Sequence, residues 1–153
     1  MNSMPRSRCS GFTLLELIVI ISVIGILTLV ATVRFAGVQG FDSRGFYDNA
    51  AAVVRLAQKT AVAWRRPVFV CVTTAQVAVG TNADCSAPVP NPATNAAAVA
   101  TAPTGVTLNI LSFSFDNLGR ASADTTITFT STIPGDPPRS IVITGATGHV
   151  TTN

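Results

Sequence analysis

Charge is what this chain has least of: 11% of its 153 residues are Asp, Glu, Lys or Arg, against roughly 25% in an ordinary soluble domain. The formal charge is +3, and Arg6 and Arg8 contribute to it; without those two, eight basic against seven acidic side chains leave about +1. That is no footprint for a protein built around nucleic acid. The single histidine, His149, has no Cys or carboxylate at ligand spacing, so neither a metal site nor a cofactor is expected. A Ser-His-Asp site is not ruled out by residue order, but this histidine lies in an ordinary turn. A phosphate-binding loop of the G-x-x-x-x-G-K type is missing. With no catalytic constellation in view, the chain does not read as an enzyme.

What is present instead is a block of apolar residues, 12–33, in which Glu16 is the one charge. As a helix it would be roughly 33 Å long, enough to cross the hydrocarbon core of a bilayer. Arg6 and Arg8 precede it, so the positive-inside rule puts residues 1–11 in the cytoplasm and everything after about Arg34 outside. Two plain alternatives compete. A cleaved secretory signal would have a shorter apolar region and small residues at −3 and −1 of the cut, yet a cut after Ala31 places Leu29 at −3, and one after Gly37 places Phe35 there. A plain signal anchor satisfies length and orientation but leaves Glu16 without a purpose.

The residues Gly11-Phe12-Thr13-Leu14-Leu15-Glu16-Leu17, behind a basic leader and ahead of the long apolar run, resemble the prepilin processing motif of type IV pilins and type II secretion pseudopilins. The resemblance implies that a prepilin peptidase cuts between Gly11 and Phe12, that the new Phe12 amine is N-methylated, and that Glu16 pairs with such an amine during assembly. It implies as partners the peptidase, the inner membrane and other pilin or pseudopilin subunits, with the subunit passing from membrane to pilus or pseudopilus. Many major pilins have proline where this chain has Val33. Since proline weakens a helix, its absence moves the expected soft stretch to 37–45, which holds Gly37, Gly40 and Gly45.

From Phe46 the pattern is helical, with Phe46, Ala50, Val53, Val54, Ala57, Ala61 and Trp64 on one face. Arg55, Lys59 and Arg66 fall on another, read as a solvated or filament-facing side rather than a nucleic-acid stripe. Pro67 ends the helix. Strands are expected over 68–73, 125–131 and 139–144, and a short last one at His149-Val150. Residues 80–104, with four prolines, read as a long loop. Val106, Leu108 and Ile110 alternate in one phase and Leu111, Phe113 and Phe115 in the opposite one, which suggests a β-bulge near Ile110. Phe113, Phe115, Ile127, Phe129, Ile141 and Ile143 read as sheet core.

The expected fold is α+β and pilin-like: a long N-terminal helix, one half transmembrane and one amphipathic, packed against a mostly antiparallel sheet. The divisions are a leader at 1–11, an assembly helix at 12–36, and a periplasmic domain at 37–153 with a helix at 46–65 and a β region at 67–153. Segments 115–120 (Phe-Asp-Asn-Leu-Gly-Arg) and 141–150 also resemble minor pilins of the GspH/FimT-like class, or the related minor subunits of mannose-sensitive haemagglutinin pili.

Cys9 lies in the leader, whereas Cys71 and Cys85 would face an oxidising compartment and are expected to pair; the alternative is one buried and one exposed free thiol. Two functions remain in view. One is a structural subunit, a minor pilin or minor pseudopilin. The other is a FimT-like subunit that captures DNA, but such subunits carry a basic Gly-Arg-rich segment near the C-terminus, and here no arginine follows Arg139.

Overall fold

The computed structural model describes residues 13–153, apart from the side chains of 29–39. Helix α1 (Leu14–Trp64) is one element of 51 residues. It passes through Gly37, Gly40 and Gly45, so the soft stretch expected at 37–45 is helical, and the helix expected from Phe46 is the last part of a longer one. Each helical glycine costs about 1 kcal/mol relative to alanine, which weakens the helix locally without ending it before Trp64. The chain divides into two units between Val38 and Gln39. In the first, Leu14 to Leu27 are exposed, among them Leu15, Ile18 and Ile24. Among the described residues no helix is long and apolar enough to cross a membrane; the run 12–33 lies partly outside them.

The second unit holds the core. Phe46, Tyr47, Ala50, Val53, Val54, Ala57 and Ala61 bury one stripe of α1. Trp64 does not continue it and is 42% exposed, because the helix ends there and the chain turns away. Eight strands follow: β1 (Val68–Val72), β2 (Gln76–Gly80), β3 (Val99–Thr101), β4 (Val106–Leu108), β5 (Leu111–Phe115), β6 (Thr125–Ser131), β7 (Arg139–Ile143) and β8 (Val150–Thr152). They form two four-stranded sheets, ordered β3-β2-β1-β5 and β4-β6-β7-β8, with every pairing antiparallel. Period-2 alternation explains which residues go inward: in β6, Ile127 and Phe129 are buried while Thr126, Thr128 and Thr130 face out. Burying Phe115, Ile127, Ile141 and Ile143 completely stabilises the fold by about 1.5 to 3 kcal/mol each. Phe129 adds edge-to-face contacts with Phe46 and Tyr47, at 5.6 and 5.1 Å between ring centroids.

Two expectations need correction. The phase reversal near Ile110 is not a bulge: β4 pairs with β6 and β5 with β1, so the chain changes sheets between Leu108 and Leu111, and Ile110 is left 76% exposed at the crossing. Nor is 80–104 a plain loop. It contains β3 and bridges at Gly80–Pro88 and Pro90–Ala97, and Val89, Ala98 and Ala100 are buried. The Val89 N–H donates to Val79 O at 2.9 Å, and the Ala98 N–H to Val89 O at 2.8 Å.

Candidate functional site

Gly11 and Phe12, the expected processing positions, lie outside the described residues. Glu16 is exposed in the first turn of α1. Thr13 precedes that turn, and its Oγ1 accepts from the Glu16 N–H at 3.2 Å, while its carbonyl accepts from the Leu17 N–H at 3.2 Å. Thr13 is thus the N-cap and Glu16 the third helical residue, where a carboxylate also complements the helix dipole. The T-x-x-E pattern at 13–16 is the sequence signal of this cap.

Cys71 and Cys85 are joined in a disulfide with Cα atoms 6.2 Å apart. It fastens the loop after β2 to β1. Gly80 makes the approach possible, because a Cβ there would come within 2.5 Å of Cys85 Cα. The alternative of two free thiols is therefore set aside.

The two segments singled out by resemblance, 115–120 and 141–150, meet on the helix. Asp116 Oδ1 accepts from the N–H groups of Leu118 and Arg120, at 2.9 and 2.8 Å, which shapes the first turn. Gln58 Nε2 then donates to Gly119 O at 2.9 Å and lies 3.4 Å from Thr147 O. Gly148 closes the contact: its φ is +65°, and a Cβ would collide with Gly119 O and with Gln58. Leu118, Arg120 and His149 are exposed around this clamp. Nothing in the sequence pattern marked Gln58; a polar residue beside a run of buried alanines was the available hint.

A second tie fixes the sheet β4-β6-β7-β8 to α1. The Ser43 hydroxyl donates to Asp136, and Arg139 Nη2 pairs with Asp136 Oδ1 at 3.1 Å. The Tyr47 hydroxyl lies 2.9 Å from Ser140 O and 3.0 Å from Asn153 O, with the Arg139 guanidinium over its ring at 5.6 Å. The Ser43 hydrogen bond holds the Asp136 carboxyl below its ordinary range against the opposing effect of burial, helped by Ser131, Arg139 and Arg44. Arg139, a cation on which a nucleic-acid contact would draw, is engaged inside the fold. Arg55, Lys59 and Arg66 are exposed, and Arg66 lies over the Trp64 ring at 4.7 Å. Among the described residues no three His, Cys, Asp or Glu side chains gather as a metal site.

Comparison with known proteins agrees with this arrangement. Residues 6–32 match the prokaryotic N-terminal methylation motif, and residues 48–148 match the family described as Type II transport protein GspH. No curated protein sequence matches the chain. Two crystal structures of the type IV minor pilin FimU of Pseudomonas aeruginosa strain PAO1 are similar in fold. One aligns with a TM-score of 0.57 at 15% identity, covering 72% of this chain and 87% of that one. The other aligns at 0.56 and 16%, covering 72% and 91%.

Proposed function

The chain belongs to the Type II transport protein GspH family and is a structural subunit of the minor pilin or pseudopilin kind, which assembles with other pilin subunits; from this premise we propose how it is processed and built in. A prepilin peptidase removes residues 1–11 and the exposed Phe12 amine is methylated. Residues 12–33 hold the subunit in the inner membrane, with its β region on the far side, until it enters a pilus or pseudopilus. The observation that carries this reading is the methylation motif lying directly ahead of a GspH-type domain on one chain.

Glu16 acts in the entry step. A carboxylate in an apolar helix near lipid is unfavourable, by about 2.5 to 3.5 kcal/mol near a helix centre and less near its end. Pairing with the methylated Phe12 amine of its own or a neighbouring subunit turns an unpaired charge into a paired one, with a net gain reduced by desolvation. Its place in a capped first turn, held by Thr13, supports a defined position for that carboxylate. N-terminal sequencing of the mature protein should begin at N-methyl-Phe12, and a chain that still starts at Met1 or is cut near Ala31 overturns the processing scheme. Glu16→Ala should leave insertion and leader cleavage intact while lowering the ratio of mutant to wild-type subunit in sheared filaments at matched membrane levels. An unchanged ratio defeats the pairing role.

A further inference from the structure

Asp48, Ala52, Arg55, Lys59, Val62 and Arg66 follow one another at steps of three and four, and all six are exposed. All but Arg66 lie within α1, where such spacing makes a single stripe. Its charge is uneven. Arg55, Lys59, Arg65 and Arg66 crowd its upper end, and between Asp48 and Asp84 the sequence has no carboxylate. Among the described residues the one ion pair is Asp136 with Arg139, so none of these four cations has an acidic partner there. Folding does not account for the two that lie on α1, Arg55 and Lys59, whereas Arg66 packs over the Trp64 ring. Arg55 and Lys59 are an i, i+4 like-charge pair, which weakens a helix, and both lie before the last turn, where the favourable helix-dipole effect is concentrated. Small and apolar Ala52, Val62 and Ala63 sit exposed between and beside them, as on a face that packs closely against another helix.

We propose that this stripe is a subunit contact whose occupant is a parallel helix of a neighbouring pilin-type subunit carrying exposed carboxylates. The inference rests on the assembly reading above and adds the surface and the charge of its partner. The chain itself illustrates the complement, because Asp48 lies on the same stripe seven residues below Arg55 and eleven below Lys59. A parallel neighbour displaced by about 10 to 16 Å along the axis brings such a carboxylate opposite these cations. Successive subunits in a helical filament meet through different ends of the same surface, which suits a stripe that is acidic low and basic high. Arg55 and Lys59 lie on one face of α1 with exposed Ala52 and Val62 beside them, and Arg139 is engaged elsewhere, so the stripe fits a closely packed helix better than the spaced phosphates of a duplex.

The test uses the full chain in a host that assembles filaments, with a benzoylphenylalanine photocrosslinker at Ala52 or Val62. Crosslinks are expected on a carboxylate-bearing helix of another pilin-type subunit or of a second copy. Arg55→Glu with Lys59→Glu should lower both the crosslink yield and filament incorporation about tenfold, while Arg55→Lys retains them and thermal unfolding stays as in wild type. Unchanged incorporation in the double variant, crosslinks confined to lipid or the same chain, or crosslinks to DNA that the double variant removes would each overturn the contact. Normal Phe12 processing and wild-type incorporation establish in the same experiment that the assembly reading stands; wild-type chain missing from the filaments would overturn both.

Discussion

One helix carries two opposite surfaces. Leu14 to Leu27 expose their large apolar residues, from 40% at Ile20 to 77% at Leu14, and the described side-chain hydrogen bonds there are local: the Thr13 cap, Ser22 to Ile18 O and Thr28 to Ile24 O. Ser22 and Thr28 return their hydroxyls to the preceding turn, which is how a helix hides polar groups when no water or partner is at hand. From Phe46 to Ala61 the same helix buries alanines, valines and aromatics against two sheets. The second unit buries most of its large apolar residues, with Ile110 and Leu118 among the exceptions. Those from Leu14 to Leu27 stay exposed, and exposed apolar surface of that extent is the kind that marks an interaction site.

The contrast can be broken most directly by making the same substitution in both regions. Ile141 is fully buried and Ile24 is 56% exposed. Ile141→Ala should cost about 2 to 5 kcal/mol through lost burial and the cavity left behind, whereas Ile24→Ala should change stability by no more than about 0.5 kcal/mol. Denaturant unfolding of the full chain in detergent measures both, and equal losses would show that the first region supports the fold of the second.

Next in size is the disulfide, whose sequence separation is 14. Replacing both Cys71 and Cys85 by Ala should lower stability by roughly 3 kcal/mol on the chain-entropy account for a loop of that length. Alkylation of unreduced mature protein followed by mass spectrometry should find no free thiol at either position. Two alkylated cysteines would remove the tie between β1 and the Pro-rich segment.

Local signals made much of this legible in the sequence. β-rich composition gave β1, and runs set off by a Pro-Gly breaker gave β6 and β7 almost to their ends. Alternation gave the inward residues of β4 and β5, and the 3.6 period gave the buried face from Phe46 to Ala61. β2 and β3 were missed because Gln76-Val77-Ala78-Val79-Gly80 and Val99-Ala100-Thr101 are short and rich in alanine and glycine, which signal strands weakly. The change of sheet at Ile110 was visible as a phase reversal, but alternation records which face is buried and not which sheet the strand joins. Gln58 and the Gly119–Gly148 approach depend on three segments far apart in sequence. The first region was readable by motif alone, since Leu14 to Leu27 are exposed and no buried face records a period there.

Acid should act on the second region through Asp136. Its folded pKa is lowered, chiefly by the Ser43 hydroxyl. A group of this kind adds stability that is fully present above the unfolded value, about 3.9 for Asp. That contribution is lost as pH falls through the folded pKa. Asp136→Asn should therefore cost about 1.5 kcal/mol at neutral pH, as expected for a hydrogen bond to a charged group, and should flatten the loss of stability below about pH 4. An unfolding series from pH 7 to pH 3 with an equally steep decline in the variant would assign the acid sensitivity elsewhere.

The smallest effect is a gain, at the point where the buried face of α1 ends. Arg65 has φ +54°, its N–H donates to Val62 O and the Arg66 N–H to Ala61 O, both at 3.3 Å. These two bonds close the helix in a Schellman motif with Arg65 at the left-handed position, and Pro67 follows two residues later. Sequence pattern alone placed the stop at Pro67; the structure places it at Trp64, with the left-handed residue turning the chain before the proline is reached. Such a conformation costs a side-chain-bearing residue about 1 to 2 kcal/mol, and glycine avoids that cost while losing more entropy on folding. Arg65→Gly should therefore stabilise the second region by about 0.5 to 1 kcal/mol. Arg65→Ala is the control, since it removes the same charge but keeps a Cβ in the left-handed position. If denaturant midpoints rise for Gly and not for Ala, relief of backbone strain is the cause. Equal rises would instead assign the gain to thinning the crowd of cations at Arg55, Lys59, Arg65 and Arg66.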